Sequence, residues 1–206
     1  MLGFALFSFF SLCLVPPVMA RDFSPPPEID PILKAKLERL AELSELNTPE
    51  SLGEISRMLK DETPQIRVMA ERVLWYRWSH SGDVLADQLL HNGNELMDRG
   101  HPIQALERFN QAIAQKPDFA EAYNKRAAVY FLFGDYESSL ISAREAVRLN
   151  PWHYEAMGGM GLCLMLMERP VEALKWFSRA LAINPFMASI QKLVKQLESS
   201  MERTST

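Results

Sequence analysis

The chain of 206 residues has little cysteine and no excess of basic residues, and both shortages exclude classes of protein. Its two cysteines are Cys13 and Cys163. Because Cys13 lies in a segment that we expect to be removed, no internal disulfide is expected in the mature chain. Lysine and arginine number 22 against 26 aspartates and glutamates, which gives a formal net charge of −4. A nucleic-acid-binding surface needs clustered basic side chains, so no nucleic-acid partner is expected.

Patterns that mark catalytic, metal or cofactor sites are also lacking. The histidines have no recurrent metal-ligand spacing, and no glycine-rich phosphate loop follows a strand. Cys163 could act as a nucleophile, but its apolar neighbours favour a buried structural side chain. The four tryptophans, Trp75, Trp78, Trp152 and Trp176, match packing positions better than a cofactor site. We therefore expect a non-enzyme with no metal and no cofactor.

Charged side chains are absent from residues 1–20. Their apolar run of about 14 residues is shorter than the roughly 20 needed to span a bilayer. Val18 and Ala20 occupy the positions that a signal peptidase reads, so residues 1–20 are predicted to be a cleaved secretory signal and 21–29 a proline-rich leader. No lysine or arginine precedes the run, and an uncleaved membrane anchor is the alternative. We expect an exported, periplasmic protein without stable membrane insertion after cleavage.

Three helix-start signals follow in residues 30–82, each a capping residue before a proline: Asp30-Pro31, Thr48-Pro49 and Thr63-Pro64. They predict an N-terminal region of about three helices. The expected inward residues are Leu33, Leu37, Leu40 and Leu43 in the first helix, Leu52, Ile55, Met58 and Leu59 in the second, and Ile66, Met69, Val73 and Leu74 in the third. Ser81 and Gly82 are expected to end the third helix.

From about residue 83, proline and small residues recur every 34 positions. The recurring sets are Pro117, Pro151 and Pro185; Ala112, Ala146 and Ala180; and Gly93, Ala127 and Gly161. A 34-residue period is typical of a helix-turn-helix repeat that stacks into a solenoid. We place three repeats at 86–119, 120–153 and 154–187, within the region 83–187. Residues 188–206 are expected to form a capping helix and a tail, because the last repeat needs its apolar face covered.

These repeats resemble tetratricopeptide repeats (TPRs), in which a small residue in the first helix lets the second helix pass closely. Gly100 and Gly134 match the glycine that closes the first helix with a left-handed turn. The residues around Ala122–Ala127 and His153 also resemble a group of small exported proteobacterial TPR proteins with no assigned chemistry. The resemblance implies an all-α fold: a right-handed α-solenoid of three TPR helix pairs, with an N-terminal helical extension and a C-terminal capping helix.

In such a stack the first helices of successive repeats line a concave face, where side chains not required for packing are free to contact a partner. The predicted partner-binding residues are Asn94, Asn124, Lys125, Ala128, Phe131, Gly158, Leu162 and Met165. Asn124, Lys125, Ala128 and Phe131, at the centre of the array, are interpreted as not required by the fold. A groove with one polar and one apolar end would hold an extended peptide or a helix. The alternative is an ordinary solvated face.

The TPR resemblance further implies a non-catalytic protein–protein interaction module, either an exported scaffold or an assembly factor that binds a protein or peptide. An accessory or regulatory subunit of an envelope enzyme complex is the alternative. TPR co-chaperones grip a terminal carboxylate with lysine, asparagine and arginine side chains, and of these only Asn94 has a counterpart here. The other clamp places hold Leu90, Lys125, Glu155 and Gly159. The sequence does not determine the oligomeric state.

Overall fold

The structure is a computed structural model that describes residues 30–46 and 48–204. These residues form ten α-helices and no β-strand, and the predicted all-α solenoid is confirmed. The helices are α1 (Pro31–Glu45), α2 (Pro49–Met58), α3 (Pro64–Trp78), α4 (Val84–Asp98), α5 (Pro102–Gln115), α6 (Ala120–Leu132), α7 (Tyr136–Leu149), α8 (Tyr154–Leu166), α9 (Pro170–Ile183) and α10 (Ala188–Thr204). The expected signal peptide and leader lie outside the described residues. No described helix combines the length and the apolar character needed to cross a membrane.

Proline and capping side chains determine where several helices begin. Five helices, α1, α2, α3, α5 and α9, carry a proline in the first turn, where the missing N–H would have no helical partner. The Asp30 carboxylate accepts a hydrogen bond from the backbone N–H of Ile32 at 3.0 Å. The Thr48 hydroxyl accepts one from the N–H of Ser51 at 3.2 Å. The sequence signals at residues 30, 48 and 63 thus mark true helix starts.

The helices from α4 to α9 form three consecutive pairs, α4–α5, α6–α7 and α8–α9. In the first and third pairs a phenylalanine packs directly on a glycine. A Cβ placed on Gly93 would lie 2.4 Å from Cε1 of Phe109, and one on Gly161 would lie 2.4 Å from Cδ1 of Phe177. In the middle pair Ala127 holds the equivalent place, and its carbonyl accepts a hydrogen bond from the Ser139 hydroxyl at 2.8 Å. Small residues recur because the paired helices approach closely there.

The turns inside the pairs use left-handed backbone conformations. Gly100 and Gly134 both have φ of 76°, as the sequence predicted for the first two repeats. In the third repeat Glu168 takes the same place with φ of 58°, although it carries a side chain. Pro170 then begins α9. The third repeat therefore keeps the turn geometry without the glycine.

The third helix buries Ile66 and Leu74 as expected, but the rest of its buried face differs from the prediction. Ile66, Ala70, Leu74 and Trp78 are its buried residues. Met69, which was predicted to point inward, is 38% exposed, so that prediction was wrong. Apolar residues surround most of α3, and their spacing alone therefore does not identify the buried side. The elements that pack against α3 determine which of its faces is buried.

Helix α3 packs against the repeat array. We call the set of contacts that α3 makes with the array the α3 brace. Trp78 stacks on the His153 ring with centroids 4.4 Å apart and meets Tyr154 edge-on at 5.2 Å. The Tyr154 hydroxyl donates to Glu71 at 3.1 Å. The Arg67 guanidinium lies 4.4 Å from the ring centre of Phe186. Helix α3 thus crosses the turns that precede α8 and α10.

Two apolar clusters make up the core. One contains buried residues of α1–α3 together with residues of α6–α10. The other contains α4 and α5 with Phe119 and, from α6, Ala122 and Val129. Helix α6 contributes to both, since its Ala127 belongs to the larger cluster. The N-terminal helices therefore share their core with the second and third repeats, whereas the first repeat packs mainly on α6.

Candidate partner-binding groove

Helices α4, α6 and α8 are the first helices of the three pairs and carry all eight predicted partner-binding residues. Helix α3 adds a wall that the repeat pattern did not indicate. Its Trp75 side chain is 50% exposed, and the Lys125 Nζ lies 5.9 Å from the ring centre. We use "the groove" for the accessible residues of α4, α6 and α8 together with Trp75.

Two central residues of the predicted site are already engaged within the protein. The Lys125 Nζ lies 3.1 Å from Oε1 of Glu121. The Asn124 amide donates to Oε2 of the same carboxylate at 3.1 Å. Glu121 is buried, so both side chains compensate a charge that is removed from water. The interpretation that Asn124 and Lys125 are not required by the fold was therefore wrong.

A third group on this carboxylate is His153, which is fully buried. Its Nε2 lies 2.8 Å from Oε2 of Glu121, and its Nδ1 accepts the backbone N–H of Ala156 at 3.4 Å. An accepting Nδ1 places the imidazole proton on Nε2, so His153 donates to the carboxylate. We call Glu121, Asn124, Lys125, His153 and the stacked Trp78 the Glu121 cluster. It joins α3, α6 and α8.

The pKa of Glu121 reflects this arrangement. Burial by itself raises the pKa of a carboxyl group. The hydrogen bond from His153 and the nearby charge of Lys125 outweigh burial and hold the pKa of Glu121 below its ordinary value. Burial likewise lowers the pKa of Lys125, but the carboxylates of Glu121, Glu155 and Asp98 raise it above the ordinary value. Glu121 and Lys125 are both charged at neutral pH.

Glu155 has a different environment. Burial raises its pKa, and repulsion from Glu121 raises it further, although His153 and Lys125 act in the opposite direction. Neither Glu155 nor the exposed Asp98 lies within ion-pair distance of a basic side chain in the part of the chain that the structure describes. The region around Glu155 consequently carries more negative than positive charge.

The other side of the groove is apolar. Ala128 is exposed, and Phe131, Leu162 and Met165 are partly buried. The Phe131 ring lies 5.6 Å from that of Tyr136. The surface continues to the ends of α6 and α8, where Leu132 is 61% exposed and Leu166 is 47% exposed. These residues keep apolar area in contact with water.

Two other residues named from the sequence do not have the surroundings expected of them. Gly158 is buried. A Cβ placed on it would lie 3.4 Å from Met187 Cε and 3.6 Å from Ile190 Cδ1. Helix α10 and the turn before it therefore cover this part of α8. Its predicted place on the groove surface was wrong. Asn94 is partly exposed and lines a cleft of about 570 Å³ with residues of α4 and of the α3–α4 turn. No other predicted binding residue lines that cleft.

Among residues 30–46 and 48–204, no group of three or more histidine, cysteine or acidic side chains is placed to hold a metal ion. Cys163 is buried and donates to the Ser139 hydroxyl at 3.2 Å. Burial raises the pKa of its thiol, which disfavours the thiolate that a nucleophile requires.

Sequence reasoning missed the contributions of Glu71 and Trp75 to this region. Trp75 had been interpreted as a packing residue, but half of its surface is exposed beside Lys125. Glu71 accepts hydrogen bonds from Tyr154 at 3.1 Å and from Asn184 at 3.4 Å. No repeat position marks these contacts, because α3 lies outside the 34-residue period.

Comparisons with known proteins agree with the architecture. A TPR repeat model matches residues 93–134, and a tetratricopeptide repeat model matches residues 142–188. A TPR repeat-containing protein of Rhizobium etli is 26% identical over 151 residues, which cover 73% of this chain and 74% of that protein. The SGT1 homolog of Bos taurus is 27% identical over 115 residues, which are 56% of this chain but only 34% of that protein.

Solved TPR domains share the fold at low sequence identity. The first TPR domain of human RPAP3 has a TM-score of 0.56 at 19% identity and covers 62% of this chain and 97% of that one. MamA has a TM-score of 0.55 at 20% identity and covers 67% and 80%. The Sgt2 TPR domain from Aspergillus fumigatus has a TM-score of 0.56 at 20% identity and covers 60% and 83%. Together with the paired helices, these findings show that the chain contains tetratricopeptide repeats, in residues 93–134 and 142–188, and shares the TPR fold.

Proposed function

We propose that this protein is a non-catalytic interaction module, an exported scaffold or assembly factor that binds a peptide or protein segment in its groove. The observation that carries this proposal is the apolar surface formed by Ala128, Leu162 and Met165, which extends to the exposed Leu132 and Leu166. Burying such a surface against a partner is favourable by about 25 cal/mol per Å². A similar fold, the first TPR of Spaghetti (RPAP3), is bound to an HSP90 peptide in its structure.

The anchor for that partner differs from a clamp for a terminal carboxylate. At the clamp places, Leu90 is buried, Lys125 is paired with Glu121, and Glu155 carries a negative charge when it ionises. A ligand carboxylate would be repelled by Glu155 and would find the nearest lysine already paired. We therefore propose recognition through the interior of a segment and not through its C-terminal carboxylate.

Of the predicted contacts, Ala128, Phe131, Leu162 and Met165 are proposed as the apolar wall. Asn94 and the outer part of Lys125 are proposed as polar contacts. Asn124 is proposed to act by holding Glu121, to which its amide donates. Gly158 is omitted because Met187 and Ile190 cover it.

The test compares two groove variants with a control on an outer helix. Ala128→Glu and Met165→Glu place a charge on the apolar wall, whereas Ile141→Glu places the same charge on α7, where Ile141 is already 62% exposed. The tagged protein and its variants would be recovered from the native cell envelope, and folding would be checked by circular dichroism. We expect wild type and Ile141→Glu to retain one common partner that both groove variants lose. Retention by all three variants would show that the groove is not the binding face.

Export has its own test. The mass of the protein isolated from the envelope should correspond to a chain that begins after Ala20. A chain that retains Met1 would contradict cleavage and favour the anchored alternative. A recovered partner with enzymatic activity would favour a role as an accessory subunit over a role as a scaffold.

A further inference from the structure

Carboxylates outnumber basic groups around Lys125 in the groove, and this excess of negative charge indicates the kind of partner that would bind there. Glu121, Glu155 and Asp98 all act on one basic group, Lys125. The Nζ of that lysine lies 3.1 Å from Glu121, which is already the acceptor for Asn124 and His153. The positive charge is thus committed to the buried carboxylate. Glu155 has no comparably close cation in the described part of the chain.

Ionisation of Glu155 is unfavourable in this position. It lies in the first turn of α8, partly buried, where Glu121 and Glu71 repel its ionised form. An additional positive charge nearby would relieve that repulsion. Beside this region the half-exposed ring of Trp75 offers a face that also attracts cations. Both features favour a basic group from outside the molecule.

The apolar side chains restrict the ligand further. Phe131, Leu162 and Met165 lie on the same helices, α6 and α8, that carry Glu121 and Glu155, but towards their other ends. Leu132 and Leu166 continue this surface to the helix ends. One segment that lies along α6 and α8 would therefore meet carboxylates first and apolar side chains afterwards.

We infer that the groove takes a segment that is both basic and apolar, with a lysine or arginine beside Glu155 and apolar side chains against Leu162 and Met165. This inference rests on the proposed function and specifies the chemistry of the partner. Complementary charge would set the orientation and the rate of encounter, whereas apolar burial would supply most of the affinity.

The probe is a phage-displayed library of random peptides of about a dozen residues, selected on the purified protein. We expect the enriched peptides to combine lysine or arginine with leucine-like residues and to carry a net positive charge. A synthetic copy of one of them should bind Glu155→Gln about two- to fivefold more weakly than wild type, as expected for a single surface ion pair. This loss should shrink as salt is raised.

Glu107→Gln on α5 is the matched control, because it removes one exposed carboxylate outside the groove and should leave affinity unchanged. Enrichment of acidic peptides, or an equal loss in Glu107→Gln, would overturn the charge inference. The proposed function would survive that result if Met165→Glu still abolished binding of the selected peptides. If no selected peptide depends on Met165, the proposed function fails and the inference fails with it.

Discussion

Replacing Gly161 by alanine tests how closely α8 and α9 pack. A Cβ at this position would lie 2.4 Å from both Cδ1 and Cε1 of Phe177, well inside van der Waals contact. Phe177 is fully buried, so its ring has no free space into which to move. Gly159, two residues earlier in the same helix, provides the control, because a Cβ there meets no atom within 4 Å.

The two substitutions gain the same helix propensity but differ in packing. Alanine is favoured over glycine inside a helix by about 0.5–1 kcal/mol. Overfilling a close-packed site costs about 1–3 kcal/mol, and this term applies only at Gly161. Gly159→Ala should therefore stabilise the protein by up to about 1 kcal/mol. Gly161→Ala should be less stable than Gly159→Ala by about 1–3 kcal/mol.

Urea unfolding followed by circular dichroism measures this difference. In a protein of this size each 1 kcal/mol corresponds to roughly 2–4 °C in Tm, so thermal melts provide a second measurement. Combining Gly161→Ala with Phe177→Leu should cost less than the sum of the two single losses, because the two sites are in contact. Equal stability of Gly161→Ala and Gly159→Ala would refute the close approach of α8 and α9.

Three further predictions concern Glu121, the neighbouring Glu155 and the tryptophans of α3. The pKa of Glu121 is lowered in the folded state, so its contribution to stability is present at neutral pH and is lost as pH falls below the ordinary value of 4.5. Glu121→Gln should therefore make the free energy of unfolding depend less on pH in the acid range. An unchanged pH dependence would contradict the pairing. The pKa of Glu155 is raised in the folded state, so its ionisation opposes folding at pH 7. Glu155→Gln should therefore increase the free energy of unfolding at pH 7 but not below pH 4.5. A loss of stability at pH 7 would contradict this effect of Glu155. Trp78→Ala should lower the free energy of unfolding by about 3–5 kcal/mol, whereas Trp75→Ala, at a half-exposed site, should cost about 1 kcal/mol or less in the same urea titration.

The repeat architecture could be predicted because its causes are local and recur. Close helix crossing requires a small residue at Gly93, Ala127 and Gly161, and the turns require a left-handed residue at fixed positions. Proline and capping side chains similarly mark helix starts in the N-terminal region. Each of these requirements involves residues of one helix pair, so a single sequence reveals them.

The groove was predicted less well, because its exposure depends on distant elements. Lys125 was predicted to be available to a partner, yet its charge is paired with Glu121, which is also hydrogen-bonded to His153 at the start of the next repeat. Gly158 was assigned to the surface, but α10 and the preceding turn cover it. The helical period identifies which face of a helix is apolar or polar. It does not identify which other helix lies on that face.

The positions of α3 and α6 give the two halves of the groove different mechanical support. Glu121 lies on α6, which contributes to both apolar clusters, and three side chains fix its carboxylate while Trp78 covers His153. The acidic half is therefore preorganised, because moving it would disturb α3, α6 and α8 together. Leu132 and Leu166, at the helix ends, remain largely exposed. In the proposed complex, the rigid charged half would fix the orientation of a segment, and the open apolar half would accommodate side chains of different shapes. Such a groove would recognise a class of segments rather than one sequence.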